Sequence, residues 1–177
     1  GLTVLPTHRA VSVSGDFDAR RVLAHLDDTF DRMDHSLGGG DLDEAWEEFQ
    51  VAGASIGCYL PEGNLSGVRL SDSAPAGDDP DAAPSIDTLP VTVLNDRILE
   101  PLFGGSDGEL TCDIEYHHVA EDVRQVVDSG RCQVGFLLPP LRPEVVEKVA
   151  RSGQKLPPKS TYFYPKVPSG LLIHPFE

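Results

Sequence analysis

The run Lys159-Ser160-Thr161-Tyr162-Phe163-Tyr164-Pro165-Lys166 places two cations, two hydroxyls and three aromatic rings within eight positions. That set suits an anion. Ammonium groups neutralise a phosphate or carboxylate, a hydroxyl donates to it, and a ring stacks on whatever the anion is attached to. The preceding residues, Gly153 to Ser160, read GQKLPPKS, which resembles the phosphate-loop pattern G-x-x-x-x-G-K-[ST] except that Pro158 replaces the second glycine. A phosphate loop cradles its anion with consecutive backbone N–H groups and launches a helix from its Lys-Ser/Thr end. Pro157 and Pro158 donate no N–H, and Tyr162-Phe163-Tyr164 continues as a strand. A Walker-type ATPase is therefore excluded. What remains is a proline-stiffened loop presenting Lys159, Ser160 and Thr161, with Lys166 further on. In an extended chain Lys159 and Thr161 share one face, and Tyr162 and Tyr164 the other. The plainer reading, with the rings packed on the core and the lysines solvated, stands beside it.

His8-Arg9 follows a break at Pro6 and is a second candidate anion site, since an Arg beside a His at a strand interruption can hold a carboxylate or phosphate. The alternative there is a strand-end ion pair. His117-His118 lies where a strand gives way to a helix. A metal would need a third and fourth ligand, for which only Glu115 and the distant His8 offer themselves, so the pair reads as two partly exposed polar residues at an element end. His25, His35 and His174 have no partner in view. No nucleophile elbow surrounds any Ser or Cys, and hydrolase chemistry has no support. No metal site and no general base are expected from this chain.

The elements that must position these residues follow from periodicity. Leu2 to Val13 is strand-like, and Pro6 within it favours an edge strand or bulge. Asp16 caps a predicted helix with an apolar face of Ala19, Val22, Leu23, Leu26, Phe30 and Met33. Asp41 with Glu44 forms a capping box for a second helix through Leu42, Ala45, Trp46, Phe49 and Ala52. Ile56 to Leu60 and Leu65 to Leu70 flank the turn Pro61-Glu62-Gly63-Asn64 as a hairpin. Residues 71 to 87, with five Asp, three Pro and one large apolar residue, read as a flexible acidic insertion. Then come a helix through Val91, Leu94, Ile98 and Leu102, a strand from Leu110 to Tyr116, a helix from Val119 to Val127, a strand from Cys132 to Leu138, and a helix opened by Pro143 and stopped by Gly153. The expected class is α+β, a mixed sheet with helices packed on it in one domain over residues 1 to 177. Strand direction stays open at this point.

A net charge of −15 argues against a nucleic-acid partner, which requires a basic face. All four lysines fall between 148 and 166, so the C-terminal segment is locally positive on an acidic body. Cys58, Cys112 and Cys132 lack metal or redox spacing and read as reduced, mostly buried side chains. No apolar run is long enough to cross a membrane. A cytoplasmic protein is expected, and its start at Gly1 in an apparent strand suggests a piece of a longer one.

Three motifs carry a family resemblance: Leu5-Pro6-Thr7-His8-Arg9, the run from Gly130 to Pro140, and the run from Lys155 to Lys166 followed by Ser169-Gly170-Leu171. Together they resemble the C-terminal half of the uncharacterised family called domain of unknown function 1015, in order over the whole chain. Long members of that family carry upstream an Asp-Gly-His-His-Arg motif similar to that of ParB-like free serine kinases, which phosphorylate serine with a nucleotide. That motif is absent here, and His117-His118 does not replace it. Joined to the residue reading above, the resemblance leads to the expectation of a domain contributing Lys159, Ser160, Thr161, Lys166, His8, Arg9, Tyr162 and Tyr164 to a phosphate or nucleotide cleft shared with an N-terminal half, a nucleotide with Mg being the cofactor candidate for the full-length protein. A non-catalytic structural or dimerising module is the alternative, and homo-oligomers fit either.

Overall fold

The computed structural model describes residues 3–37, 39–70, 85–105 and 109–166. In chain order the elements are β1 (Thr3–Leu5), β2 (His8–Val13), α1 (Ala19–Thr29), β3 (Asp31–Ser36), α2 (Leu42–Val51), β4 (Ile56–Leu60) and β5 (Asn64–Arg69). A 3-10 turn (Ile86–Thr88) precedes one helical rod made of α3 (Pro90–Val93), a π-helical stretch (Leu94–Leu99) and α4 (Glu100–Phe103). Then follow β6 (Cys112–His117), α5 (Ala120–Asp128), β7 (Val134–Leu137), α6 (Pro143–Arg151) and β8 (Tyr162–Tyr164).

Six strands form one sheet in the order β3-β5-β4-β7-β2-β6, while β1 and β8 pair separately. Strand alternation gives this sheet two buried faces. On one face Val11, Ile56, Cys58, Leu60, Val134 and Phe136 pack under α1 and the rod at 90–103. On the other, Ala10, Tyr59, Leu65 and Leu137 pack under α2 and α5. Helices on both faces of a sheet make a three-layer α+β architecture.

The sheet, expected to be mixed, is antiparallel at every pairing among the described residues. The reason lies in strand insertion. The β6-α5-β7 unit does set two strands parallel to each other, but β2 is slotted between them and runs the opposite way to both. Alternation within a strand carries no information about which strand will be inserted beside it.

The α2 capping box forms as expected, with Asp41 accepting from the Glu44 N–H at 3.1 Å. The α1 cap is Asp18, not Asp16; its carboxylate accepts from the Arg20 N–H at 2.9 Å. Met33 leaves the predicted helix and joins β3, a polar edge strand that pairs with β5. Pro6 does not mark an edge strand or a bulge within β2. It is the corner where the chain leaves the small sheet for the interior of the large one. Close packing of α5 on β7 depends on Gly135, where a Cβ would stand 2.3 Å from Cγ1 of Val123. Most of the acidic stretch predicted at 71 to 87 lies outside the described residues; Ile86 at its end packs against the core.

Candidate functional site

The first two residues of β2 are among the most buried side chains of the protein, His8 at 2% and Arg9 at 1% exposure. Being adjacent in a strand, they point to opposite faces of the sheet. They therefore do not form the joint site expected of them. Arg9 points toward the rod: its Nη1 donates to Oδ1 of Asn95 at 2.9 Å, and Asn95 lies in the π-helical stretch. Its Nε is buried with no partner. Burial lowers the Arg9 pKa, and Tyr116, its neighbour across the β2–β6 pair, opposes that shift. Two threonine hydroxyls, of Thr7 just before β2 and Thr92 in α3, are likewise buried and unpartnered. Buried polar atoms without partners are rare and destabilising, so the unpartnered Arg9 Nε makes Arg9 a candidate ligand contact.

Lys159 joins this group through Tyr116. Its Nζ lies 5.8 Å from the Tyr116 ring centroid, as does the guanidinium carbon of Arg9. The C-terminal motif reaches this position because β8 pairs with β1, with Leu5 opposite Tyr162. Only residues 162–164 are a strand, so the alternation expected from 159 onward fails: Lys159 adopts a left-handed φ of 58° within a turn. Ser160 Oγ donates to the Pro157 carbonyl at 2.6 Å. With Thr7, Pro90, Val91 and Leu138 it lines a cavity of about 40 Å³ at the start of the rod. Thr161 is half-buried and Tyr164 is 58% exposed.

Tyr162 and Lys166 belong to a second, adjoining group. The Tyr162 ring lies on His118, centroid to centroid 3.9 Å at 39°, and Lys166 Nζ is 5.0 Å from the Tyr162 centroid. His118 Nδ1 is 2.8 Å from the Pro6 carbonyl, to which it donates. His117 pairs with His8, and its Nε2 is buried 3.6 Å from Glu115 Oε2. His8 Nδ1 accepts from the Leu138 N–H at 3.1 Å, which fixes the proton of the neutral ring on Nε2. Its pKa falls to about 4, chiefly through burial, with Asp43 opposing and His118 and His117 reinforcing the shift.

Of the residues expected from sequence, Arg9 and Lys159 share the Tyr116 ring; Thr7, Thr92, Asn95 and Tyr116 are not among the expected site residues, and His118 is expected only as a polar residue at an element end. Among the described residues no group of three or more His, Cys, Asp or Glu is placed to hold a metal. Nor is any helix there long and apolar enough to cross a membrane.

No protein-family model and no curated protein matches the chain. Solved structures share its fold. A mutant free serine kinase in complex with AMP superimposes with a TM-score of 0.52 at 14% identity, over 92% of this chain and 54% of the kinase. The mutant in complex with ADP gives the same values. A conserved hypothetical protein from Pyrococcus furiosus gives 0.52 at 13% identity, over 95% of this chain and 59% of its own. The chain therefore spans little more than half the length of the solved chains it matches.

Proposed function

We propose that this chain is the C-terminal part of a longer cytoplasmic enzyme and supplies a phosphate-binding wall to a nucleotide cleft. The observation that carries the reading is Arg9: a buried guanidinium with an unpartnered Nε, sharing the Tyr116 ring with Lys159. An anion entering beside that ring satisfies the orphan donor of the buried Arg9 and meets a second positive charge on the exposed Lys159, and charge-assisted hydrogen bonds are the stronger kind. The likeness of fold to kinase chains that bind AMP and ADP supports a nucleotide as the carrier of that anion. Arg9 and Lys159 then hold phosphate charge, a hydroxyl from Thr7 or Ser160 donates to it, and the exposed Tyr164 is free to stack on a base. No general base is assigned among the described residues. Magnesium finds no ligand set among the described residues, and no step is assigned to it.

The test is phosphate transfer from ATP or ADP to free serine by the full-length protein. Lys159→Ala is expected to lower the rate about tenfold or more. An undiminished rate would remove Lys159 from the mechanism.

A second reading, a docking or dimerising module, is favoured by a different observation. Tyr116, Val119, Phe163 and Tyr164 are large apolar side chains on β6, β8 and the turn after β6, each between 39% and 58% exposed. Sedimentation of the chain alone distinguishes the two: a concentration-dependent dimer broken by Tyr164→Ser supports docking, and a monomer at all concentrations does not.

A further inference from the structure

At the opposite edge of the six-stranded sheet, far in strand order from β6, lies a groove of about 710 Å³ between α1 and the strands β3, β5 and β4. Its walls are apolar, formed by Phe17, Ala19, Leu23 and Leu60, and its floor carries Asp34 and Ser66. The floor is held rigidly. Ser66 Oγ, on a residue 3% exposed, donates to Asp34 Oδ1 at 2.5 Å, and Arg32 Nη1 donates to the same oxygen. Arg32 is itself fixed by Asp27, with Nε to Oδ1 at 2.6 Å and Nη2 to Oδ2 at 3.1 Å, and it also reaches Ser66 Oγ at 3.2 Å.

The charge balance of this floor is negative. Arg32 is committed to two aspartates, and Glu62 lines the groove as well. Asp34 Oδ2 is left without a partner among the described residues, on a side chain 58% exposed. A carboxylate oxygen clamped from behind, open in front and framed by apolar walls is the arrangement that selects a small cation with an apolar body. An anion would meet Asp34 and Glu62, while the Arg that lines the groove, Arg32, is already paired with two aspartates and the His35 ring packs on Phe49. A neutral apolar molecule would desolvate Asp34 without replacing its hydrogen bonds.

We propose that this groove is a binding site for a small molecule carrying a protonated amine on an aromatic or branched apolar body, with the amine on Asp34 and the body against Phe17 and Leu23. It is a site separate from the Arg9 and Lys159 group and does not depend on it.

Tryptamine tests the proposal, with its neutral counterpart indole-3-ethanol as control, each titrated into the isotopically labelled chain at pH 7 and followed by amide chemical shifts. Tryptamine is expected to shift residues 17–23, 32–36 and 60–66 in a saturable way, at least about tenfold more tightly than the alcohol. Asp34→Asn keeps an acceptor for Ser66 and Arg32 while removing the charge, and is expected to abolish that preference. Ala19→Trp fills the groove without touching the floor network and is expected to block both ligands. Equal binding of amine and alcohol, shifts spread over the acidic surface, no saturation at millimolar ligand, or an unchanged preference in Asp34→Asn would each overturn it.

Discussion

Asp43 and Glu121 each cap the other's helix. Asp43, in the first turn of α2, accepts from the N–H groups of Ala120 and Glu121 at the start of α5, at 2.8 and 3.1 Å. Glu121 in return accepts from the N–H of Leu42, the first residue of α2, at 3.3 Å. Val119, the residue before α5, provides no side-chain cap of its own. Asp43 is therefore the principal partner for these orphan donors, and it places negative charge at the positive end of the α5 dipole. Asp43→Ala is expected to lower stability by about 1–2 kcal/mol, and Glu121→Ala by less, because its single bond is longer and α2 retains Asp41. Urea unfolding of the two variants checks this; equal losses would show that the caps are not unequal partners.

His8 sets a pH dependence whose sign is fixed by its burial. Its pKa is about 4 in the folded protein against 6.5 for the free side chain. Between those values the unfolded chain binds a proton that the folded one refuses, so stability falls as pH drops from 6.5 to about 4. The contribution reaches about 3 kcal/mol at the low end. His8→Gln keeps an acceptor for the Leu138 N–H and is expected to flatten that part of the stability profile. An unchanged slope between pH 6.5 and 4 in the variant would assign the dependence to other groups.

Gly135 and Gly67 offer an ordering of packing effects. A Cβ at Gly135 would meet Val123, a fully buried β-branched residue with one comfortable rotamer in a helix. A Cβ at Gly67 would approach the ring of Phe49 at 2.2 Å, but Phe49 is only partly buried and can swing outward. Gly135→Ala is expected to cost about 1–3 kcal/mol and Gly67→Ala less. Adding Val123→Ala to Gly135→Ala should recover part of the loss, measured by thermal unfolding of the double variant.

Tyr116 is the ring on which the two cations of the candidate site meet, and at 40% exposure it can be changed without opening the core. Tyr116→Leu is expected to weaken ADP binding by the full-length protein several-fold, while Tyr116→Phe, which keeps the ring face, stays within about twofold. Calorimetric titration provides the comparison. A Phe variant as weak as the Leu variant would move the importance from the ring face to the hydroxyl.

Much of the secondary structure was legible because helices such as α2 and α5 bury an apolar stripe, and strands such as β4 alternate or run fully apolar. Met33 misled because it continues the three- and four-residue spacing of α1 into β3, whose partners are known only once β5 lies beside it. At the candidate site, Lys159 and Arg9 were legible as charged residues in unusual places. Their meeting was not, because it depends on β8 pairing with β1 and on β6 bringing Tyr116 next to Arg9. His8 and Arg9 illustrate the converse: neighbours in sequence that strand geometry sends to opposite faces. Thr7 and Thr92 carry no sequence signal, since a buried unpaired hydroxyl is a property of surroundings.

The β1–β8 pair joins residues that lie at opposite ends of the described chain through three residues on each side. Two three-residue strands hold few ladder bonds, so they are expected to open and close in excursions without disturbing the large sheet. Each excursion carries Lys159 away from Tyr116. Hydrogen exchange at Thr3–Leu5 and Tyr162–Tyr164 is therefore a clock for the assembled site. An anion that bridges Lys159 and Arg9 slows that clock without touching either strand, and an anion bound elsewhere leaves it running at its own rate.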